Sequence, residues 1–111
     1  MSDETLVLVL TTAPSVEVAE ALVDGLVEAR LVACGNLLPG VTSIYRWEGR
    51  VARESEVLVM LKTVRSRVDD VFRRLAETHP YEVPELVAVT VEEASQAYRR
   101  WVRRETIEVS A

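Results

Sequence analysis

Residues 39–49, Pro-Gly-Val-Thr-Ser-Ile-Tyr-Arg-Trp-Glu-Gly, decide the fold of this chain. Pro39-Gly40 interrupts a strand pattern and predicts a kink or bulge, because proline cannot donate to a strand ladder. Side chains alternate between the two faces of a strand. One face therefore carries Val41, Ser43, Tyr45 and Trp47, and the other carries Thr42, Ile44 and Arg46. Trp47-Glu48-Gly49-Arg50 predicts a hairpin turn that ends this strand.

The two strands of this hairpin are unusually long. The first runs from about Leu31 to Trp47, and the second returns from about Val51 to Thr63. Strands of about 10 residues or more are near the upper end of the normal range, and two helices of ordinary size cannot cover them. The hairpin tip would expose aromatic side chains and unpaired backbone edges, which are a liability unless another chain pairs with them. The sequence therefore predicts an oligomer built by strand pairing between subunits.

The remaining elements are read from periodicity and from helix-end signals. A continuous apolar run predicts a buried first strand at Thr5–Thr11, and Ser15 is the expected N-cap of the helix that follows. Ser66, with Asp69 three residues later, indicates the start of a second helix, which ends by His79-Pro80. A fourth strand is expected at Leu86–Val91, and an amphipathic pattern then predicts a final helix.

The predicted order is β-α-β-β-α-β with an extra C-terminal helix. This is the plan of a ferredoxin-like α+β sandwich, here with a long hairpin between the second and third strands. The 111 residues are expected to form a single domain, 1–111.

The composition of the chain excludes some kinds of function and partner. The net charge of −5 argues against nucleic acid as a partner, since phosphate binding needs a positive field. No run reaches the roughly 18 apolar residues of a membrane span, and the acidic start Met1-Ser2-Asp3-Glu4 lacks the basic residues of a signal peptide. The single cysteine, Cys34, suits a reducing compartment. We therefore expect a cytoplasmic protein with no membrane and no nucleic-acid partner.

Metal chemistry is suggested by one thiol and one imidazole. Cys34 and His79 are suitable donors for copper or zinc, but two protein ligands do not close a site that needs three or four. A trimer with threefold symmetry could supply the missing ligands. It could bring three copies of one ligand together near the axis, or it could place Cys34 of one subunit beside His79 of the next. Glu82 or Glu85 would add an oxygen ligand. Cys34, His79 and Glu82 are the candidate metal ligands.

Each candidate also has an ordinary structural interpretation. Free cysteine is often a small buried hydrophobic residue, and His79 is placed to end a helix with its ring bonded to a carbonyl. Tyr45 and Trp47 are expected either in an interface patch or in the wall of a ligand pocket. Lys62 is the only lysine beside 12 arginines, which reflects either codon preference or a position that needs an ammonium.

Five blocks of this sequence together resemble the CutA divalent-cation tolerance family. The blocks are Leu31-Val32-Ala33-Cys34 with Asn36, Pro39 to Val51, Glu56 to Thr63, His79 to Glu85, and Tyr98 to Val102. The resemblance implies a ferredoxin-like subunit, a homotrimer whose long hairpins extend the sheets of neighbouring subunits, and a role in divalent-metal tolerance with copper most often linked to it. It implies no enzymatic reaction and no organic cofactor.

The residues that match the family's blocks are Cys34, Tyr45, Trp47, Lys62, His79, Tyr81 and Glu82. Two positions depart from the pattern. Gly35 replaces the more usual β-branched residue and is expected to loosen its strand, and Ala94-Ser95 replaces a common glycine-asparagine turn.

Two other functions remain open. One is a trimeric signalling module, similar to the nitrogen-regulatory PII proteins, that binds a small ligand in inter-subunit clefts walled by Tyr45, Trp47, Lys62 and Tyr81. The other is a small enzyme with a Cys-His nucleophile and base. Acylphosphatases share the subunit plan, but their glycine-rich anion loop with its arginine has no counterpart in this sequence. We therefore predict a protein that is not an enzyme.

Overall fold

A computed structural model describes residues 4–107. Its elements are β1 (Leu6–Ala13), α1 (Val16–Glu28), β2 (Cys34–Trp47), β3 (Arg50–Val64), a short 3-10 turn (Arg65–Arg67), α2 (Val68–Thr78), β4 (Val87–Thr90) and α3 (Gln96–Thr106). The strands form one sheet in the order β2-β3-β1-β4, and every neighbouring pair is antiparallel. The predicted α+β order with its extra C-terminal helix and long hairpin is confirmed.

Helices α1 and α2 cover one face of the sheet, because β1 and β3 place every second side chain toward them. Val7 and Val9 of β1 and Leu61 of β3 are fully buried there against Leu26 of α1 and Leu75 of α2. This layer is the main hydrophobic core. Ser15 caps α1 as predicted, since its Oγ accepts a hydrogen bond from the Val18 amide at 3.2 Å.

The opposite face is covered only at one end. There α3 packs Val102 against Leu6 and Val64, with Trp101 and Ile107 at the margin. The rest of this face lacks a covering layer in the described chain; we call its apolar part the open face. Its residues are Leu8, Leu10, Leu38, Leu58, Met60, Val87 and Val89. Leu38 is 51 % exposed, and Val87 and Val89 are each 44 % exposed.

The β2–β3 hairpin sets the long dimension of the molecule. The 15 residues of β3 span about 50 Å at the usual rise per residue, and the longest extent of the chain is 48 Å. The turn is tight because Glu48 and Gly49 both have positive φ, 49° and 79°. Two such residues define the type I′ turn that matches strand twist.

A bulge between Leu38 and Val41 shifts the register of β2 by one residue. Leu38 pairs with Leu58, whereas Val41 pairs with Glu56, so β2 uses one residue more than β3. Residues with even numbers face the open side before the bulge, and residues with odd numbers do so after it. The predicted kink at Pro39-Gly40 is confirmed, and it brings Tyr45 to the same face as Cys34.

Three predicted boundaries differ from the structure. β2 begins at Cys34 rather than Leu31, because α1 ends in a Schellman motif: the Leu31 amide bonds to the Leu26 carbonyl at 3.0 Å, with Arg30 at φ 60°. The proposed Ser66 cap is wrong, since a 3-10 turn precedes α2 and the helix has no side-chain cap. β4 is shorter than expected, at four residues.

Candidate functional site

A cleft of about 770 Å³ lies between the hairpin and the loop that joins α2 to β4. This loop, residues 79–86, passes the end of β1 and reaches the hairpin at Glu56. We call the space the hairpin cleft. Its lining residues are Thr12, Ser43, Ile44, Tyr45, Trp47, Glu54, Glu56, Pro80, Tyr81, Glu82, Val83, Pro84 and Glu85. Among these described residues there are three aromatic rings and four carboxylates, and there is no lysine or arginine.

Two tyrosine–glutamate pairs line the hairpin cleft. The Tyr81 hydroxyl donates to Oε2 of Glu56 at 2.5 Å, and the Tyr45 hydroxyl donates to Oε1 of Glu54. Burial, and then the bond to Glu56, raises the pKa of Tyr81 well above its usual range. The hydrogen bond to Glu54 is the main cause that raises the pKa of Tyr45. Both phenols therefore remain protonated donors at neutral pH.

Glu56 is a largely buried carboxyl group of the hairpin cleft. The residue is only 9 % exposed, and its hydrogen bond comes from a neutral phenol. Among residues 4–107 no lysine, arginine or histidine forms an ion pair with it. Buried charges are ordinarily paired with an opposite charge, so this carboxylate is chemically suited to receive a cation from outside the chain.

His79 lies at the base of the same loop with both ring nitrogens engaged. Nδ1 accepts a hydrogen bond from the Tyr81 amide at 3.1 Å, so Nε2 must carry the proton, and it donates to the Thr12 carbonyl at 2.7 Å. The ring is 8 % exposed and lies 4.7 Å from the Tyr81 ring, centre to centre. In this state His79 ties the loop to β1, as the carbonyl-bonding interpretation of the sequence anticipated.

Cys34 and Lys62 form a second group near α3. They are cross-strand partners in β2 and β3. The Cys34 thiol lies 3.5 Å from the Tyr98 hydroxyl, and Lys62 Nζ donates to Oδ1 of Asn36. Burial, followed by the contact with Cys34, raises the pKa of Tyr98 to about 12. Cys34 is neither the fully buried hydrophobic residue of one interpretation nor part of a metal cluster in the described chain.

The two groups lie at different levels of the sheet. Cys34 pairs with Lys62, which pairs with Leu8, whereas His79 bonds to Thr12. Four strand residues separate these levels, which is about 13 Å along β1. One chain therefore does not bring Cys34 to His79, and it does not bring Lys62 into the hairpin cleft. Tyr45, Trp47, Tyr81 and Glu82 do meet there.

Sequence reasoning missed Glu54 and Glu56, although a signal for both was present. A two-residue turn at Glu48-Gly49 pairs Trp47 with Arg50, and counting back pairs Ser43 with Glu54 and Val41 with Glu56. Residues directly opposite each other share a face. The register alone therefore places both carboxylates beside the aromatic pair.

Comparison with known proteins identifies the family of this chain. The profile described as "CutA1 divalent ion tolerance protein" matches residues 7–105. The chain belongs to this family. It is 44 % identical to the divalent-cation tolerance protein CutA of Thermus thermophilus over 99 residues, which covers 89 % of this chain and 96 % of that protein. It is also 44 % identical to Protein CutA of Homo sapiens, over 89 % of this chain.

The chain spans 55 % of the length of that human CutA protein, although it spans nearly all of the Thermus protein. Among solved structures, CutA1 of Oryza sativa superposes with a TM-score of 0.91 at 31 % identity, covering 96 % of this chain and 98 % of that one. One CutA relative, from Arabidopsis thaliana, is named as chloroplastic, and another, from Archaeoglobus fulgidus, is named as periplasmic. CutA proteins therefore occur in more than one compartment.

No helix within residues 4–107 of this CutA chain is long and apolar enough to cross a bilayer.

Proposed function

We propose that this protein serves in tolerance to divalent cations by binding them as a homotrimer, with Cu(II) or another divalent cation as the ligand and without catalysing a reaction. The family match over residues 7–105 is the observation that carries this proposal. A cytoplasmic location belongs to the same proposal and rests on the lone cysteine.

The open face supports the assembly part of the proposal. Exposed apolar side chains cover much of the sheet surface that α3 leaves free, and the outer edge of β2 has no strand partner in the described chain. Unpaired edges and apolar sheet faces favour association with further copies. Burial of this face would contribute about 25 cal/mol per Å² of apolar surface. The number three comes from the resemblance to the family.

Cys34, His79 and Glu82 are the proposed metal ligands, contributed by different subunits. A site shared between subunits is required because one chain keeps Cys34 and His79 apart. Cys34 is partly exposed, with one polar contact to Tyr98, and Glu82 is exposed. His79 would have to give up one of its two hydrogen bonds, at a cost of about 1–3 kcal/mol.

Isothermal titration of the metal-free protein tests the metal part. Zn²⁺ is the first probe because it does not oxidise the thiol, and Cu²⁺ is the second. We expect saturable binding at micromolar concentration that weakens at least about tenfold in Cys34→Ser and Glu82→Gln. Glu20→Gln, at an exposed position of α1, is the control and should bind normally. Absence of specific uptake of either ion would remove direct metal binding from the proposal.

The positions of Cys34 and His79 also bear on whether this protein is an enzyme. A Cys-His enzyme needs the imidazole within hydrogen-bond reach of the thiol, and this chain holds the two groups at different levels of the sheet. Within one subunit, that separation leaves no Cys-His pair of nucleophile and base.

A small-ligand signalling module is the second candidate, and the hairpin cleft is the observation that favours it. Its volume of about 770 Å³ falls within the range of small-molecule pockets. A thermal-shift screen separates the two functions. Stabilisation by a nucleotide or carboxylate, with none by metal ions, would favour signalling; stabilisation by metal ions alone would favour tolerance.

A further inference from the structure

Tyr81 fastens residues 80–85, the exposed part of the loop between α2 and β4, to the rest of the chain. It makes both hydrogen bonds that these residues form in the described chain. Its amide donates to Nδ1 of His79 at 3.1 Å, and its hydroxyl donates to Oε2 of Glu56 at 2.5 Å. Segments with so few hydrogen bonds open at a small cost in free energy. The closed position of this loop therefore depends largely on one residue.

His79 has one ring lone pair available for a metal ion, and Tyr81 occupies it. Nε2 carries the ring proton and donates it to the Thr12 carbonyl at 2.7 Å. Metal-binding histidines ordinarily keep such a bond to a carbonyl, because it fixes the ring and its tautomer. The ligating atom is then Nδ1, which accepts the Tyr81 N–H in a residue that is only 8 % exposed. A ligand role for His79 therefore requires the Tyr81 amide to withdraw.

Withdrawal of the Tyr81 amide also affects the hairpin. The rings of His79 and Tyr81 lie 4.7 Å apart, centre to centre, and the Tyr81 hydroxyl is bonded to Glu56 of β3. Because both hydrogen bonds belong to one residue, moving its backbone away from His79 also pulls its hydroxyl away from Glu56. The bond to Glu56 therefore stabilises the state in which Nδ1 is blocked.

We propose that Tyr81 makes an autoinhibitory contact: in the closed loop it blocks Nδ1 of His79, and the loop must open before His79 can serve as a metal ligand. This inference rests on the proposed metal-binding function, since it concerns how one proposed ligand becomes available. The apparent affinity for a metal ion is then the intrinsic affinity reduced by the fraction of molecules whose loop is open. Tyr81 controls that fraction without being a ligand.

Tyr81→Phe tests the contact by removing only the hydroxyl. The closed loop would leave the buried Glu56 carboxyl without its hydrogen bond, whereas the open loop would let water reach it, so the variant should favour opening. Titration calorimetry on the native assembly should show Zn²⁺ binding at least about fivefold tighter than in the parent. A gain in affinity separates this role from a ligand or a merely structural role, whose loss would weaken binding. Equal or weaker Zn²⁺ binding would overturn the inference.

Hydrogen exchange in the metal-free protein gives a second readout. The amide of residue 81 should exchange at least about fivefold faster in Tyr81→Phe than in the parent, while the amides of β1 stay unchanged. Tyr45→Phe is the matched control, because its hydroxyl bonds to Glu54 within the hairpin and not to the loop. Exchange at residue 81 should therefore be the same in Tyr45→Phe as in the parent. Equal exchange at residue 81 in all three proteins would exclude the coupling.

Failure of this inference can be told apart from failure of the metal function. Zn²⁺ binding of equal affinity in the parent and Tyr81→Phe would leave the metal function standing and overturn the autoinhibitory contact. Absence of Zn²⁺ uptake in both proteins would overturn both proposals. Faster exchange at residue 81 of the parent when Zn²⁺ is saturating would support the contact, because metal binding would then hold the loop open.

Discussion

At Gly35, neighbouring side chains occupy the space that a side chain would need. A Cβ built there would lie 2.8 Å from Cγ1 of Val23 and 2.9 Å from Cδ2 of Leu61. The expectation that this glycine loosens its strand did not consider α1, which packs directly against the strand at this point. Gly25 is the opposite case, since a Cβ there would meet nothing within 4 Å.

These two glycines give a matched prediction. Gly35→Ala should lower the free energy of unfolding by about 1–3 kcal/mol, because Val23 is stiff in a helix and cannot move aside without strain. Gly25→Ala should raise it by about 0.5–1 kcal/mol, because alanine favours a helix interior. Denaturant unfolding at one fixed protein concentration measures both. Equal stability of the two variants would contradict the packing described at Gly35.

The raised pKa of Tyr98 predicts that the folded chain loses stability at alkaline pH. Its pKa is about 12 in the folded chain, against about 10 for an unfolded tyrosine. Between these values the unfolded state has lost the proton and the folded state keeps it, so the free energy of unfolding falls as pH rises. The contribution is complete below pH 10 and disappears as pH passes 12.

Tyr98→Phe should reduce this alkaline slope. Urea unfolding of the parent and the variant at several pH values from 9 to 12 gives the comparison. Tyr45 and Tyr81 act in the same direction, so a reduced slope is expected rather than a flat one. Identical slopes in the two proteins would show that Tyr98 does not retain its proton in the folded chain.

At the level of elements, α3 is held at its C-terminal end by two arginines from elsewhere. Arg67 donates to the Thr106 carbonyl at 2.9 and 2.6 Å, and Arg30 donates to the carbonyls of Glu105 and Arg104 at 3.1 and 2.7 Å. The last carbonyls of a helix have no partner within the helix. Cationic donors satisfy them and also complement the helix dipole.

Arg67→Ala should therefore loosen α3 selectively. We expect faster hydrogen exchange at the amides of α3 and a loss of about 1–2 kcal/mol in the free energy of unfolding. Arg73→Ala is the control. The Arg73 side chain is 66 % exposed, and its one ion pair within residues 4–107 is with Asp70, so its removal should change stability by less than about 0.5 kcal/mol. Uniform exchange changes across the whole chain would argue against a local anchor.

The order of elements was predictable because each carries a local signal. Alternation and the glycine of the turn at Trp47–Arg50 indicated the hairpin, Pro39-Gly40 indicated the bulge, and Ser15 indicated the start of α1. The start of β2 was not predictable in the same way, since Arg30 adopts a left-handed conformation usually taken by glycine or asparagine. The Ser66 signature failed because the chain entered α2 through a 3-10 turn.

The candidate site was only partly predictable, because it depends on contacts between distant segments. The aromatic pair and the 79–85 segment were identified from the sequence, but nothing local indicates that the loop reaches Glu56. The separation of Cys34 from His79 depends on the register between β1 and β3, which no turn in the sequence sets.

For the whole molecule, the open face predicts where the proposed trimer would be most sensitive to substitution. Leu38→Glu places a charge on that face at a position 51 % exposed in the single chain, so the subunit should still fold. Light scattering should show dissociation toward smaller species, because a buried unpaired charge is costly in an interface. Val27→Glu, at a 40 % exposed position of α1, should leave the assembly intact. Equal behaviour of the two variants would exclude the open face as the contact surface.

The two tryptophans lie in different elements, the β2–β3 hairpin and α3. Each can therefore report on its own element through its fluorescence. Trp47 lines the hairpin cleft, whereas Trp101 belongs to α3, and its ring centre lies 5.6 Å from that of Tyr98. With Trp101 replaced by phenylalanine, fluorescence would follow events at the hairpin alone, and with Trp47 replaced it would follow the docking of α3. Events at the hairpin and movement of α3 can therefore be timed separately, one in each variant, without attaching a dye.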